Sequence, residues 1–198
     1  VVFAFTARFS SASSQLVTPD GSRAPTPVGD IETFNPSHPS VNPGDSVILP
    51  ISKVVSYLDA VLKALVLHTE ARTSFITYVS ALPVLKWHET HHEIYWAPRY
   101  WLPDLLKHEY IALRFLPQAS YERAAEMHIS PTPDLVTRVF MLFRGIAPGD
   151  LGFWEQAAAR ASAADGATFW ARVVGVDAVR ASDFGLFRVL EWGGMEVE

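Results

Sequence analysis

The chain of 198 residues contains no cysteine. Disulfides, thiolate metal ligands and thiol nucleophiles are excluded together. Basic runs are missing too. Lys and Arg total 16 against 21 Asp and Glu, for a formal net charge of −5. Nucleic-acid binding draws on clustered cations that neutralise phosphates, so RNA or DNA is not the expected partner. No apolar run reaches the roughly 20 residues of a membrane-spanning helix. The most apolar window, Ile51 to Leu67, is interrupted by Lys53, Asp59 and Lys63, so no membrane span is expected. Gly193-Gly194 is the one glycine pair and precedes no helix, and no G-x-S-x-G sequence occurs. Phosphate-cradling loops and nucleophile elbows therefore have no candidate, and no cofactor is expected.

What the chain has in quantity is apolar and aromatic mass. Hydrophobic residues make up 49%, with 12 Phe and 6 Trp. That supplies a core and, equally, anchors for interfaces. The distribution divides the chain into three segments: 1–18, 19–50 and 51–198. The first carries Arg8, four serines and no acid before Asp20. An Arg-containing, Ser-rich, acid-free start resembles the end of a mitochondrial presequence, and Ala7-Arg8-Phe9-Ser10-Ser11 is similar to a matrix-peptidase cleavage site. A matrix location is the corresponding expectation. The second segment holds Pro19, Pro25, Pro27, Pro36, Pro39, Pro43 and Pro50, half of the 14 prolines. Proline fixes φ and removes a donor, so this segment reads as a long irregular arm, pinned by Ile31, Phe34, Val47 and Ile48.

In the third segment Ile51, Val54, Val55, Leu58, Val61, Leu62 and Leu65 recur at helical spacing and predict a helix over 51–67. Phe75, Ile76, Val79 and Leu82 predict a second over 70–82, closed by Pro83. Further helices are expected over 84–97, 104–115, 121–128, 135–143 and 151–164. Residues 168–174 suit helix or strand, and a short helix is expected from Asp183. The expected fold class is therefore all-α, a stack of α-hairpins behind an irregular N-terminal arm.

Pro103-Asp104-Leu105-Leu106 and Pro133-Asp134-Leu135-Val136 each read as a helix start, thirty residues apart. The second follows Glu122-Arg123-Ala124-Ala125-Glu126-Met127 and leads into Thr137. This succession resembles the junction between pentatricopeptide repeats over residues 100–165. With the presequence-like start, it is similar to pentatricopeptide-like mitochondrial accessory proteins, such as those attached to the catalytic head of some protist ATP synthases. The resemblance implies a non-catalytic accessory subunit whose partners are the other protein subunits of a large complex. An organellar RNA-binding or ribosomal protein is a further alternative, against which the acidic charge balance argues.

One motif speaks for chemistry instead. His88-Glu89-Thr90-His91-His92 satisfies H-E-x-x-H. On a helix, His88 and His92 share a face one turn apart and could bind zinc, with Glu89 as the base that activates a bound water. His108 or Glu109 could complete the ligand set. Against this stand Lys86 and Glu93, charges at positions where a buried zinc helix carries neutral residues. The motif then reads as a polar turn between Trp87 and Trp96, and the expectation is no metal and no catalytic residue, with a small zinc hydrolase as the alternative.

Overall fold

The computed structural model describes residues 34–80, 107–163 and 165–197, with the backbone alone for 78–80. Strand β1 (Val47–Pro50) runs directly into helix α1 (Ile51–Ala64), and α2 (Thr69–Ser80) follows. Then come β2 (Tyr110–Phe115), α3 (Gln118–Ala124) and β3 (Leu135–Ile146). A 3₁₀ segment (Pro148–Trp154) leads into α4 (Glu155–Ala161), α5 (Gly166–Val174), α6 (Ala178–Ser182) and β4 (Arg188–Glu196). The four strands form one sheet in the order β1-β2-β3-β4. The first three are antiparallel, and β4 lies parallel to β3 with Leu135 beside Arg188 and Phe143 beside Glu196.

The fold is thus α/β, not the expected all-α stack. Three particular segments make the difference. Residues 135–143 were expected to be helical, but form most of β3. Their run of Val136, Thr137, Val139, Phe140 and Phe143 is rich in β-branched and aromatic residues, which suit a pleated surface. Thr137, Val139, Met141 and Phe143 alternate with Arg138, Phe140 and Leu142, and all seven are buried. A strand covered on both faces shows an unbroken apolar run, which periodicity cannot tell from a buried helix. The same holds for β2, where residues 110–115 replace the end of a helix expected over 104–115. At the C-terminus the helix expected from Asp183 gives way to β4.

The repeat falls with it. Pro133-Asp134 starts no helix. The Asp134 carboxylate accepts the Phe187 backbone N–H at 2.7 Å, and the Asp134 N–H donates to the Phe187 carbonyl at 2.8 Å. Asp134 therefore clips β4 onto the head of β3, and the likeness to a helical repeat was a likeness of turn chemistry. Its counterpart, Pro103-Asp104, lies outside the described residues.

Other expectations match the structure. Helix α1 buries Val54, Leu58, Val61 and Leu62, the stripe read from spacing. Residues 69–80 are helical, 155–161 lie inside the window 151–164, and 168–174 resolve as helix.

Helices cover both faces of the sheet. On one, Leu58, Leu62, Leu65 and Phe75 pack over Ile111, Leu113, Phe115, Val139 and Trp192. Trp170 of α5 closes this layer. It sits edge-on to Phe115 at 5.4 Å and donates its indole N–H to the Tyr57 hydroxyl at 2.9 Å. On the other face Phe34, Val41, Tyr121, Trp154 and Ala157 cover Ile48, Ala112, Phe140 and Leu142. Residues 34–46, read as irregular, are fastened here. The Phe34 N–H donates to Ser120 Oγ at 2.9 Å. Arg160 of α4 donates to the carbonyls of Pro43, Gly44 and Ser46, while Arg114 pairs with Asp45. Residues 47–50 then add β1 to the sheet edge, where the missing N–H of Pro50 costs no ladder bond.

Candidate ligand-binding cavity

The motif singled out for chemistry lies elsewhere: His88, Glu89 and His92 fall outside the described residues. The proposed third ligands are described and serve other ends. His108 packs its ring over Gly145, where a Cβ would meet the ring at 2.1 Å. Glu109 is exposed, and its carbonyl accepts the Ile51 N–H at 2.9 Å. His38 contacts Asn35, His68 contacts Glu70, and His128 stands 3.8 Å from Glu126. Among the described residues, no three His, Asp or Glu side chains gather where a metal could bind.

A buried polar network sits inside the second layer. Arg138 of β3 and Glu191 of β4 are register partners and pair directly, each with a side chain only 4% exposed. The Tyr121 hydroxyl donates to the other Glu191 oxygen at 3.2 Å, and the Arg138 guanidinium lies 4.5 Å over the Tyr121 ring and donates to the Ala125 carbonyl. Gln118 completes it by accepting the Arg138 N–H and donating to the Val136 carbonyl, both at 3.1 Å. Burial pushes the Tyr121 hydroxyl well above its ordinary pKa, and the Glu191 carboxylate adds to the shift. Arg138 Nε and Nη1, both Glu191 oxygens, the Tyr121 hydroxyl and the Gln118 amide all have protein partners. The network locks β3 to β4 in one register. A cavity of about 490 Å³ beside it is walled by Glu122, Glu126, His128 and Arg138 among others, but the arginine is already engaged.

The second cavity is different. It measures about 580 Å³ and opens at the head of the β3–β4 pair, beneath the α1–α2 corner. Leu65 and Leu67 come from the corner, Leu135 from β3, Leu190 from β4, and Phe184, Leu186 and Phe187 from the loop between α6 and β4. Its polar groups are few: Lys63, His68, Thr137, Ser182 and Arg188. It is a half-open hollow whose lining is mostly apolar, suited to an apolar side chain or group.

The corner is built in an unusual way. The Val66 N–H donates to the Lys63 carbonyl and the Leu67 N–H to the Leu62 carbonyl, both at 3.0 Å. That pairing is the Schellman closure of a helix, which places its next residue in the left-handed region and normally uses glycine. Here the residue is Val66, at φ 62°. It is the one non-glycine with positive φ among the described residues. A β-branched side chain is strained there, and the strain is held by buried Leu65 and Leu67 on either side. Strained backbone of this kind concentrates at functional sites, and Val66 lines the cavity.

At the cavity's solvent edge the Phe184 ring is 92% exposed. Arg188 stands over it, guanidinium to ring centroid 4.9 Å, and also donates to the Ala181 carbonyl. Val179, on the preceding helix, is 83% exposed. None of these residues was singled out from the sequence. The signal for the loop was its composition, since Phe184-Gly185-Leu186-Phe187 packs three large apolar residues between Asp183 and Arg188. For Val66 there was no signal, because the residue that marks this turn is the one it replaces.

No helix among the described residues is long and apolar enough to cross a membrane. No family model matches the chain, and no curated protein or solved structure matches it either. The pentatricopeptide-type repeat is overturned by the sheet. The mitochondrial and ATP synthase terms drew on that resemblance and on residues 1–18, which lie outside the described residues, and they stand without support.

Proposed function

We propose that this protein works by binding: it is a non-catalytic accessory subunit that seats an apolar side chain of a partner protein in the cavity at the head of β3 and β4. One observation carries the reading. Phe184 is 92% exposed at the edge of an apolar cavity of about 580 Å³. An exposed aromatic ring beside an apolar hollow is the arrangement of an interface anchor, where buried aromatic contacts supply most of the binding energy. A lone exposed Phe would need no explanation. Phe184 is different because Arg188 holds its ring at the cavity edge and exposed Val179 lies nearby in the chain.

The test is native-gel migration and co-purification of the full-length protein from its own cells, with Phe184→Asp alongside. The wild type is expected to migrate in a complex larger than itself. Phe184→Asp is expected to migrate as the free chain, with urea stability within about 0.5 kcal/mol of wild type, as for an exposed site. Migration of the wild type as a free monomer, or an intact complex with Phe184→Asp, refutes the reading.

A further inference from the structure

We propose that β4 is a dimerisation strand: its outer edge pairs antiparallel with β4 of a second copy of this chain, about a two-fold axis at Trp192, so that the two sheets become one.

The sheet has two edges, and they differ. The β1 edge is four residues long and closes on Pro50, which has no N–H for another strand. Arg160 of α4 fastens the chain just before it, at the Ser46 carbonyl. The β4 edge runs nine residues, Arg188–Glu196, without a proline or a lysine. Its internal charge, Glu191, is paired with Arg138 inside the sheet. Among the described residues no strand lies beyond it. A long edge that lacks such devices is a template for another strand.

The ladder fixes which groups face outward. In a parallel pair, alternate residues of a strand bond to the neighbour. The Val197 N–H donates to the Phe143 carbonyl at 2.8 Å, and the Phe187 carbonyl accepts the Leu135 N–H at 3.3 Å. The odd-numbered residues of β4 therefore bond to β3. Arg188, Leu190, Trp192, Gly194 and Glu196 turn their N–H and C=O to the outer edge. Two copies of β4 can bond to each other only in registers that set these even-numbered residues opposite one another.

Under that constraint β4 is its own complement. With antiparallel copies centred on Trp192, Arg188 stands opposite Glu196 of the copy and Leu190 opposite Gly194 of the copy. All nine residues of the strand overlap, and any other register shortens the ladder. Arg188 and Glu196 share the face to which Leu190 and Trp192 contribute, so opposite charges meet twice across the axis. Neither has an ion-pair partner among the described residues, and Arg188 gives one guanidinium nitrogen to the Ala181 carbonyl. Opposite charges set directly across an antiparallel pair stabilise it, and like charges oppose it. A surface that complements itself about a two-fold axis is what a symmetric dimer requires.

The test is sedimentation velocity of the purified full chain from about 1 to 200 µM. A single strand pair is a small interface, so a weak dimer is expected, with Kd on the order of 10 µM. Amide exchange at Leu190 and Gly194 is expected to slow as the concentration rises. Arg188→Glu and Glu196→Arg each set like charges opposite one another and are expected to weaken the dimer about tenfold. An equimolar mixture of the two variants sets opposite charges face to face again and is expected to regain wild-type affinity, which a folding defect would not allow. Gly194→Pro removes an outward N–H and no ladder bond to β3, and is expected to leave a monomer. A monomer at every concentration, a dimer indifferent to the charge variants and to Gly194→Pro, or a mixture that binds no more tightly than either variant alone overturns the proposal. So does a monomeric chain whose β4 amides are protected only by a different protein. The dimer is a property of the purified chain, so it is read separately from the partner protein of the cavity. A chain that self-associates and captures no other protein refutes the cavity reading alone.

Discussion

The Arg138–Glu191 pair invites a double-mutant cycle. Both side chains are only 4% exposed, so solvent screens them little. Replacing Glu191 with Leu leaves the guanidinium of Arg138 buried without its countercharge. Replacing Arg138 with Met strands the carboxylate in the same way. Breaking one side of a buried pair costs about 3–5 kcal/mol. For a domain whose total stability is about 5–15 kcal/mol, that is a large fraction. At this chain length the melting temperature would fall by about 10 °C. The double variant Arg138→Met/Glu191→Leu removes both charges together. It leaves the Tyr121 hydroxyl and the Ala125 carbonyl without the partners they now have, each worth about 1–3 kcal/mol when stranded. Adding Tyr121→Phe removes the first of these. The expected order of stability is therefore wild type, then the triple variant close to it, then the double, with both single variants lowest. Urea denaturation followed by tryptophan fluorescence measures all five. A double variant as unstable as the sum of the singles refutes the reasoning, since the two residues would then contribute independently.

Three further outcomes follow from the same geometry. Burial raises the pKa of both Tyr57 and Tyr121 above 10.0; the unfolded chain ionises first, so their contribution is full below pH 10 and is lost as pH rises beyond it. Urea midpoints should fall above pH 10, and Tyr121→Phe should flatten that decline; an unchanged slope argues against a buried hydroxyl. Gly145→Ala places a Cβ at 2.1 Å from the His108 ring, an overpacking expected to cost about 1–3 kcal/mol, and a variant as stable as wild type would mean that His108 swings away freely. Val66→Gly relieves left-handed strain of about 1–2 kcal/mol against a glycine entropy cost of about 0.5–1 kcal/mol, so a slightly raised urea midpoint is expected, and a clear loss of stability shows that Val66 is held by packing rather than strained.

Much local structure was legible. The stripe Val54, Leu58, Val61, Leu62 identified α1 because that helix packs on one side only, and one-sided burial prints its period on the chain. Helices α2 and α4 were legible for related reasons of spacing and flanking proline or glycine, whereas residues 168–174 suited helix or strand alike until the structure placed them in α5. The failures share a cause. Strands β2 and β3 are covered on both faces, so their apolar runs carry no period of two, and helical spacing can be drawn through any dense run. Prolines before them completed a false picture of helix starts, because Pro-Asp serves a turn as readily as a helix. The segment 34–50 misled in the opposite direction. Its prolines exclude helix, yet Phe34, Val41 and Ile48 are core residues, fastened by the guanidinium groups of Arg160 and Arg114 from over sixty residues away in sequence.

By itself, the sequence determined that no thiol chemistry is available, where α1 begins and which face it buries, and that aromatic mass is plentiful. Those properties are composition and short-range periodicity, and neither requires knowing what is adjacent in space. Only the tertiary structure decided that Arg138 faces Glu191, that Asp134 clips β4, and that Val66, Phe184 and Arg188 surround one cavity. The physical reason is separation along the chain. Val66 and Arg188 reach the same cavity from opposite ends of the described residues, and contacts at that distance come from the order in which a sheet assembles its strands, not from any local pattern.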